Sequence, residues 1–425
     1  MPRRFAFSFG LLLLILAVGW SSKLFPSARA DKGPSGGNYL PGEVVVKLAS
    51  ASDLHAIAFQ YGLDPTPLSQ FGSRPIYRLR ILDGINPSQK VSALTSDGRI
   101  IYAEPNFIAT PPEGGGQSWS VGQSWSVGGD AGQYAAQWFP QKIDLLDGQV
   151  VSRGAGIKVA VLDTGVDATH PALAGRLIRG YDFVDMDDDP SEVGDQTIGP
   201  YGHGTHVAGL IALVAPDARI MPVRVLDSRG VGNLWVLAEA LAYALDPDKD
   251  PTTRDGADVI NLSLSTSRQT KLLSGLLNQA CGSGSGSGDF NGLANPGLVV
   301  VAAAGNGGNT VPQYPAAENI NGLLAVASSD QKDYLSAFST RGSWIRVMSP
   351  GERILSTVPG AAYGTWSGTS MAAAIVSGEV ALLRSQYPSL RNTKVIDHIV
   401  KTSVRTKAQI SARIDTGAAL RTVPD

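Results

Sequence analysis

Short apolar runs alternate with amphipathic stretches through most of the chain. Residues 157–162 (IKVAVL), 219–226 (RIMPVRVL), 258–264 (DVINLSL), 298–304 (LVVVAAA) and 323–327 (LLAVA) are nearly continuous in apolar residues. Strands covered on both faces read this way, because neither face needs polar side chains. Residues 205–213 and 234–245 read as helices between such runs. The alternation predicts βαβ units and an α/β fold, with a doubly wound, mostly parallel sheet flanked by helices. Chemistry in such sheets collects beyond the carboxyl ends of the strands.

Residues 39–112 follow a different pattern. Residues 42–49 (GEVVVKLA) alternate as a strand, 52–61 suit a short helix, and 75–82 (PIYRLRIL) form a second strand. Asn86-Pro87-Ser88 starts another helix, and 100–109 (IIYAEPNFIA) is a third strand. These pieces predict a small α+β unit with helices on one face of an antiparallel sheet, in the ferredoxin-like manner. From 113 to 137 Gly, Ser and Gln dominate, and the hexapeptide GQSWSV occurs at 116–121 and again at 122–127. That composition predicts a flexible linker, open to proteolysis, before a large domain at 138–425.

Residues 1–30 read as an export signal. Arg3 and Arg4 give a basic start, 5–20 is apolar, and Ala28-Arg29-Ala30 supplies a small-x-small cleavage pattern before Asp31. The apolar stretch is short for a membrane span, which takes about 20 residues. The expectation is a secreted, extracellular monomer, tethered to a membrane only if this segment is not cleaved.

Hydrophobic residues make up 43% of the 425, charged residues 17%, and the formal net charge is −2. This is a globular balance with no charge excess to attract nucleic acid or an anionic membrane. Cys281 is the only cysteine, so no intramolecular disulfide forms. It opens a Gly-Ser run with no base beside it, a poor setting for a thiol nucleophile.

Three polar residues fall in glycine-flanked turns. Asp163 follows the run IKVAVL, His203 sits in GHGTHVAG, and Ser370 sits in GTSMAAA, where a loop enters a small-residue helix. Separately they have ordinary uses: an exposed carboxylate, a packed histidine, a helix cap. Together they form a nucleophile, a base and an orienting acid. A serine hydroxyl needs a base to take its proton, imidazole titrates in the right range, and a carboxylate fixes its tautomer.

The segments VAVLDTGVD, GHGTHVAG and GTSMA resemble the signature motifs of the subtilisin-like serine proteases, in that family's order of Asp, His and Ser. A fourth segment, VVVAAAGN, is similar to the one carrying the family's oxyanion-hole amide, which falls on Asn306. The resemblance covers 138–425 and implies a catalytic triad of Asp163, His203 and Ser370, with His206 structural. AGNGGNTVPQYPA and AVASSDQKDYLSAFSTRGSW resemble the thermitase-like branch. Residues 39–112 are similar to the family's propeptides through PGEVVVK and YAEPNFI, which implies a propeptide domain at 31–112, an intramolecular inhibitor and a self-processing zymogen acting on protein or peptide substrates.

The resemblance also implies a groove in which substrate adds as a strand between Gly230-Val231-Gly232 on one side and Ser263, Leu264 and Ser265 on the other. Gln313 falls near the floor of the specificity pocket. Ser265-Thr266 replace the family's Gly-Gly and narrow that pocket, while Ala374-Ile375 replace its Pro-His. The acidic run at 181–190 resembles the thermitase calcium loop, which would place a structural Ca2+ on Asp182, Asp185 and Asp187. Its other reading is a solvated acidic loop. The calcium loop of many subtilisins is missing, since Leu213-Val214-Ala215-Pro216 runs across its position.

Two other classes compete. An esterase-type α/β-hydrolase needs its acid and histidine after the serine. The only later histidine, His398, adjoins Asp397 in a helical stretch, where neighbours point about 100° apart. A catalytically silent interaction module on the same fold is the second, since fold alone does not prove activity.

Overall fold

The computed structural model describes residues 38–114, 126–197, 199–250, 252–282, 295, 297–407, 410 and 412–425. The leader, the first hexapeptide copy and nearly all of the Gly-Ser run lie outside them.

The N-terminal part is built on strands β1 (Tyr39–Leu48), β2 (Ile76–Arg80) and β3 (Ile100–Ala109), with β1 antiparallel to both others. Helices α1 (Leu54–Tyr61) and α2 (Pro87–Leu94) belong to the same part, and Asn86 caps α2 by accepting from Ser88 N–H. Strand alternation sorts the side chains. Val44, Val46 and Leu48 share a core with Leu54, Ile57 and Leu94, while Val45 and Ile76 join the core of the larger part. Both faces of this small sheet are therefore covered.

The larger part follows the predicted alternation. Its strands are β4 (Lys158–Asp163), β5 (Tyr181–Asp182), β6 (Arg219–Arg224), β7 (Val259–Leu262), β8 (Val299–Ala303), β9 (Leu323–Ser329), β10 (Ile345–Pro350), the hairpin β11 (Ile354–Val358) and β12 (Ala362–Trp366), and β13 (Val404–Arg405) with β14 (Ala412–Arg413). The main sheet has nine strands in the order β13-β14-β10-β9-β8-β7-β4-β6-β5. All its pairings are parallel except β13 with β14. Val159 and Val161 of β4 point to one face and Ala160 and Leu162 to the other, each into a buried core. Helices α3 (His203–Val214) and α6 (Thr369–Gln386) cover the first face; α4 (Leu234–Leu245) and α5 (Lys271–Ala280) cover the second. The small residues after Ser370 let α6 approach closely: a Cβ on Gly378 would stand 2.5 Å from Val214 Cβ.

Strand β4 has β6 on one side and β7 on the other, so the winding of the sheet reverses there. Crevices at such reversals hold the chemistry of open α/β sheets. Asp163 is the last residue of β4.

The linker reading needs correction beyond residue 125. Ser126–Val127 pairs with β12, and Ala131–Ala136 is a helix capped by Asp130, whose side chain accepts from Gln133 N–H. Tyr134 is buried and donates to Gly209 O at 2.5 Å. One cap and one buried aromatic suffice to order a segment whose composition suggests none. Strand β10 and the hairpin β11–β12 went unread because their short runs mix polar and apolar residues.

Candidate active site

Each turn that carries a candidate residue is set by its backbone. At the end of β4, Asp163 accepts Thr164 N–H (2.8 Å) on Oδ1, and the same oxygen lies 2.7 Å from His203 Nδ1. His203 opens α3 after Gly202, whose φ of 87° lies in the left-handed region and whose Cβ, if present, would stand 2.7 Å from Pro359 Cδ. His203 and His206 both stack on Trp366, at 5.3 and 5.0 Å between centroids. His206 Nε2 lies 3.2 Å from Ile354 O and 3.1 Å from Gly364 O. Burial, with the charge of His203, pushes His206 down to about 3, so it stays neutral.

Ser370 is the second residue of α6, where free N–H groups and the positive end of the helix dipole gather. Asn306 follows β8. Its Oδ1 accepts from Thr369 N–H (2.9 Å) and Thr369 Oγ1–H (2.8 Å), which fixes the amide and leaves buried Nδ2 without a partner. Asp163, His203 and Ser370 are all fully buried.

The buried side chain of Glu113 fills the centre of this group. Ser370 Oγ–H donates to Glu113 Oε2 at 2.9 Å, and that oxygen is 3.3 Å from His203 Nε2, an ion contact without hydrogen-bond geometry. The other oxygen lies beside Gly368: a Cβ there would stand 1.9 Å from Glu113 Oε1 and 3.1 Å from Asn306 Nδ2. Burial lowers His203, but the charge and hydrogen bond of Asp163, joined by Glu113, outweigh it and raise the imidazole to about 10. For Glu113 burial works against ionisation, and His203 overcomes it to hold the carboxyl below its usual range.

Residues ahead of Glu113 lie as a strand against the expected groove. Ile108 and Ala109 pair with Asn233 and Gly232, and Thr110 exchanges both main-chain bonds with Ser265, at 3.0 and 2.7 Å. Gly230 faces Pro111, with room for no Cβ (3.3 Å to Pro111 Cδ, 2.9 Å to Pro200 Cβ). Ser263 O lies 3.5 Å from Ser370 Oγ, and Leu264 is buried beneath the groove. Val231 does not join the pairing: its N–H and C=O both bond back to Asp227, closing a turn. Gln313 lies against Gly305, next to Asn306. Thr266 exchanges main-chain bonds with Tyr314. The same N-terminal strand also caps two helices. Glu104 accepts from Lys271 N–H (2.7 Å) and Leu272 N–H (3.0 Å) of α5, and Asn106 Oδ1 accepts from Trp235 N–H (3.1 Å) of α4.

The proposed calcium ligands fit that cation poorly. Asp182 gives Oδ1 to the N–H groups of Val184 and Asp185 and Oδ2 to Arg224 Nη1 (2.5 Å), and Asp185 Oδ2 takes the same nitrogen (2.5 Å). Asp187 Oδ1 accepts from Asp189 N–H. Calcium takes about 6–8 oxygens, whereas this loop turns two carboxylates onto a guanidinium that sequence spacing could not reveal. A second acidic group, Asp246, Asp248 and Asp255, has its ligand atoms within 4.8 Å of one another.

The remaining candidates are structural. Burial pushes the Cys281 thiol up to about 12. His398 Nε2 lies 2.8 Å from Ala419 O while Asp397 pairs with Arg346, so they form no acid–base couple. His170 Nε2 lies 2.9 Å from Ala362 O. Sequence reading missed Glu113, Trp366 and Glu192, the last being a buried carboxylate beside Asp163 and His203. A hydroxyl, an imidazole, its carboxylate and an unpartnered amide at the end of a strand-bound groove are the equipment of acyl transfer.

Comparison with known proteins points the same way. Residues 154–417 match the model of the subtilase family, and residues 25–106 match the fervidolysin N-terminal prodomain, beginning inside the segment read as a leader. A thermophilic serine proteinase of Bacillus sp. (strain AK1) is 36% identical over 82% of this chain and 79% of its own. Thermitase of Thermoactinomyces vulgaris is 41% identical over 61% of this chain and 85% of its own. Fervidolysin of Fervidobacterium pennivorans, described as a keratinolytic enzyme related to subtilisin, superimposes with a TM-score of 0.70 at 25% identity. That match covers 92% of this chain, which spans 62% of fervidolysin. Among the described residues no helix is long and apolar enough to cross a membrane.

Proposed function

We propose, for a chain that belongs to the subtilase family and is a serine protease with a prodomain, that it is an exported zymogen hydrolysing peptide bonds through Ser370, His203, Asp163 and Asn306. One observation carries this reading: Ser370 Oγ and His203 Nε2 both meet the Glu113 carboxylate, Asn306 Nδ2 is buried and unpartnered beside Gly368, and Asp163 lies 2.7 Å behind the imidazole.

With substrate in place of Glu113, His203 Nε2 takes the Ser370 proton as Oγ bonds to the scissile carbonyl carbon. The carbonyl oxygen becomes an oxyanion held by Asn306 Nδ2–H and the Ser370 N–H. Asp163 keeps Nδ1 protonated and stabilises the imidazolium. The C–N bond then breaks, the amine leaving with the proton from His203. Water, deprotonated by the same nitrogen, attacks the acyl ester and releases the acid and Ser370.

The prodomain inhibits in two ways on this reading. Residues 108–110 occupy the groove as a substrate strand would, and Glu113 holds His203 in the protonated form that accepts no proton. The carboxylate stands at the nucleophile through one oxygen, with the other buried beside Gly368 and without a hydrogen bond. Maturation then removes the leader and the prosegment by a cut between Pro112 and Gln137. The side chains of Ser265, Thr266 and Gln313 favour a modest, uncharged residue before the scissile bond.

The test is covalent labelling by a serine-directed phosphonate, with hydrolysis of a mixed peptide library read by mass spectrometry. Mature wild type should label at Ser370 and cut peptides, and Ser370→Ala should do neither and stay full length. Unlabelled mature wild type, or an active Ser370→Ala, overturns the reading.

A further inference from the structure

We propose that Glu192 is a positioning residue for this protease: a single buried carboxylate that ties the turn presenting His203 to the turn following Asp163. The proposal rests on the Ser370–His203–Asp163 reading and adds to it the group that holds two of its members in register.

Glu192 lies in the polar loop between β5 and α3. Its stem reaches the surface, but its carboxylate is buried and accepts from both turns. Oε1 receives Thr164 Oγ1–H (3.1 Å), Thr205 N–H (3.0 Å) and Thr205 Oγ1–H (3.0 Å), and Oε2 receives Gly202 N–H (3.2 Å). Thr164 Oγ1 in turn accepts from Gly204 N–H at 2.9 Å. The N–H groups of Gly202, Gly204 and Thr205 thus reach Glu192 directly or through Thr164, bracketing His203 on both sides.

Two features of the backbone make this anchor necessary. Helix α3 begins after a glycine, which has no side chain to cap the free N–H groups of the first turn. Glu192 supplies that cap from another loop. The loop is also seated on the Asp163 turn. Val166 N–H donates to Pro190 O (3.0 Å), and a Cβ on Gly165, at φ 113°, would stand 2.6 Å from Ser191 O and 2.9 Å from Glu192 N. Only glycine lets the two turns stack so closely.

Asp163 and His203 come from segments 40 residues apart, so their contact depends on how those turns sit against each other. A misplacement of about 1 Å in such a group costs about 100-fold in rate. Glu192 also adds negative charge near the couple. Asp163 and Tyr201 are the titratable groups that feel it, while the groups bonded to it are neutral. Burial, countered by the bonds from Thr205 and Gly202 and aided by Asp163, pushes Glu192 up to about 7.

The test uses mature enzyme carrying Glu192→Gln, Glu192→Ala or Thr164→Val, with kcat expressed per site titratable by phosphonate. Glu192→Ala should lower kcat about 10- to 100-fold with KM within about twofold of wild type. The acid limb of kcat/KM, which reports His203, should stay in place, because Glu192, pushed up to about 7, carries little charge there and acts through position. Glu192→Gln, which keeps the shape and one acceptor oxygen, should also leave that limb in place, with a smaller loss of kcat. Thr164→Val removes the bond to Glu192 and the acceptor of Gly204 N–H but leaves those of Gly202 and Thr205 N–H to Glu192, so it guards against a Glu192 variant that does not fold. It should lower kcat about threefold to tenfold. Per-site kcat unchanged in the variants, with only a lower melting temperature, would overturn the proposal. Failure of wild type itself to label would instead remove the triad reading beneath it.

Discussion

The Oε2 oxygen of Glu113 stands 2.9 Å from Ser370 Oγ, inside the space a substrate carbonyl would need. Its charge is matched by His203, raised to about 10 with Asp163 on the other side of the ring. The lock needs an ionised Glu113 and a protonated His203.

Glu113→Gln should therefore speed conversion of purified full-length protein to the mature form about tenfold or more, since it removes one partner of a buried charge pair. The signs define a pH window. The raised His203 contributes its part below its ordinary value and loses it as pH rises through about 10. The depressed Glu113 contributes above its ordinary value and loses it as pH falls through the depressed one. Wild-type processing should accelerate towards the alkaline end of this window, where His203 loses its proton. It should not do so towards the acid end, where Glu113 lets go but His203 stays protonated and cannot act as base. A time course on gels, with Ser370→Ala as the unprocessed control, checks it; equal rates for wild type and Glu113→Gln at neutral pH would remove the lock.

Asn306 carries a prediction with a magnitude taken from a relative. Losing the single oxyanion amide of subtilisin lowers kcat by about 10²–10³. Asn306→Ala should do the same with KM little changed, because an oxyanion donor acts mainly in the transition state. Its Oδ1 also holds Thr369, so Asn306→Asp is the better probe of charge against shape. Steady-state kinetics on a peptide amide separates the two constants.

Glu379, further along α6, is fully buried, and neither oxygen has a hydrogen-bond partner. Burial, with Asp415 adding and Arg413 opposing, pushes it up to about 8 from an ordinary 4.5. A carboxyl raised on folding gives stability that is present below its ordinary value and lost as pH rises through the folded one. Glu379→Met, which fills similar space without charge, should raise stability above that pH by about 1–3 kcal/mol and flatten the decline. Thermal melts on a Ser370→Ala background avoid self-digestion. Parallel melting curves for the two proteins across the range would mean that the carboxylate has a partner.

Arg224, 2% exposed, bonds Asp182 and Asp185 in the loop first read as a calcium site. Arg224→Met leaves Asp182 buried and unpaired and should destabilise by about 3 kcal/mol or more. A chelator should act on wild type and Asp185→Ala alike, because Arg224 already occupies one oxygen each of Asp182 and Asp185. A chelator-induced drop that Asp185→Ala abolishes would put calcium back on the loop.

The apolar runs of the large sheet, the capped helix at Asn86 and the strand at residues 100–109 were legible because burial on one face or two leaves a periodic trace. Asp163, His203, Ser370 and Asn306 were legible because each stands in a glycine-framed turn where strand meets helix. Nothing local marks Glu113, Trp366, Glu192 or Arg224. Their roles depend on partners elsewhere in the chain, Ser370 for Glu113, His203 and His206 for Trp366, Thr164 and Thr205 for Glu192 and Asp182 for Arg224, and on which way a loop carries a charge. Residues 126–137 were misread for the same reason, since the partners of Tyr134 and Val127 lie far along the chain, in α3 and β12. Sequence determined which groups stand in the candidate site, through backbone geometry that local residues impose. Tertiary structure alone decided what sits against them, because hydrogen bonds and charge pairs between distant segments exist only once the chain is folded.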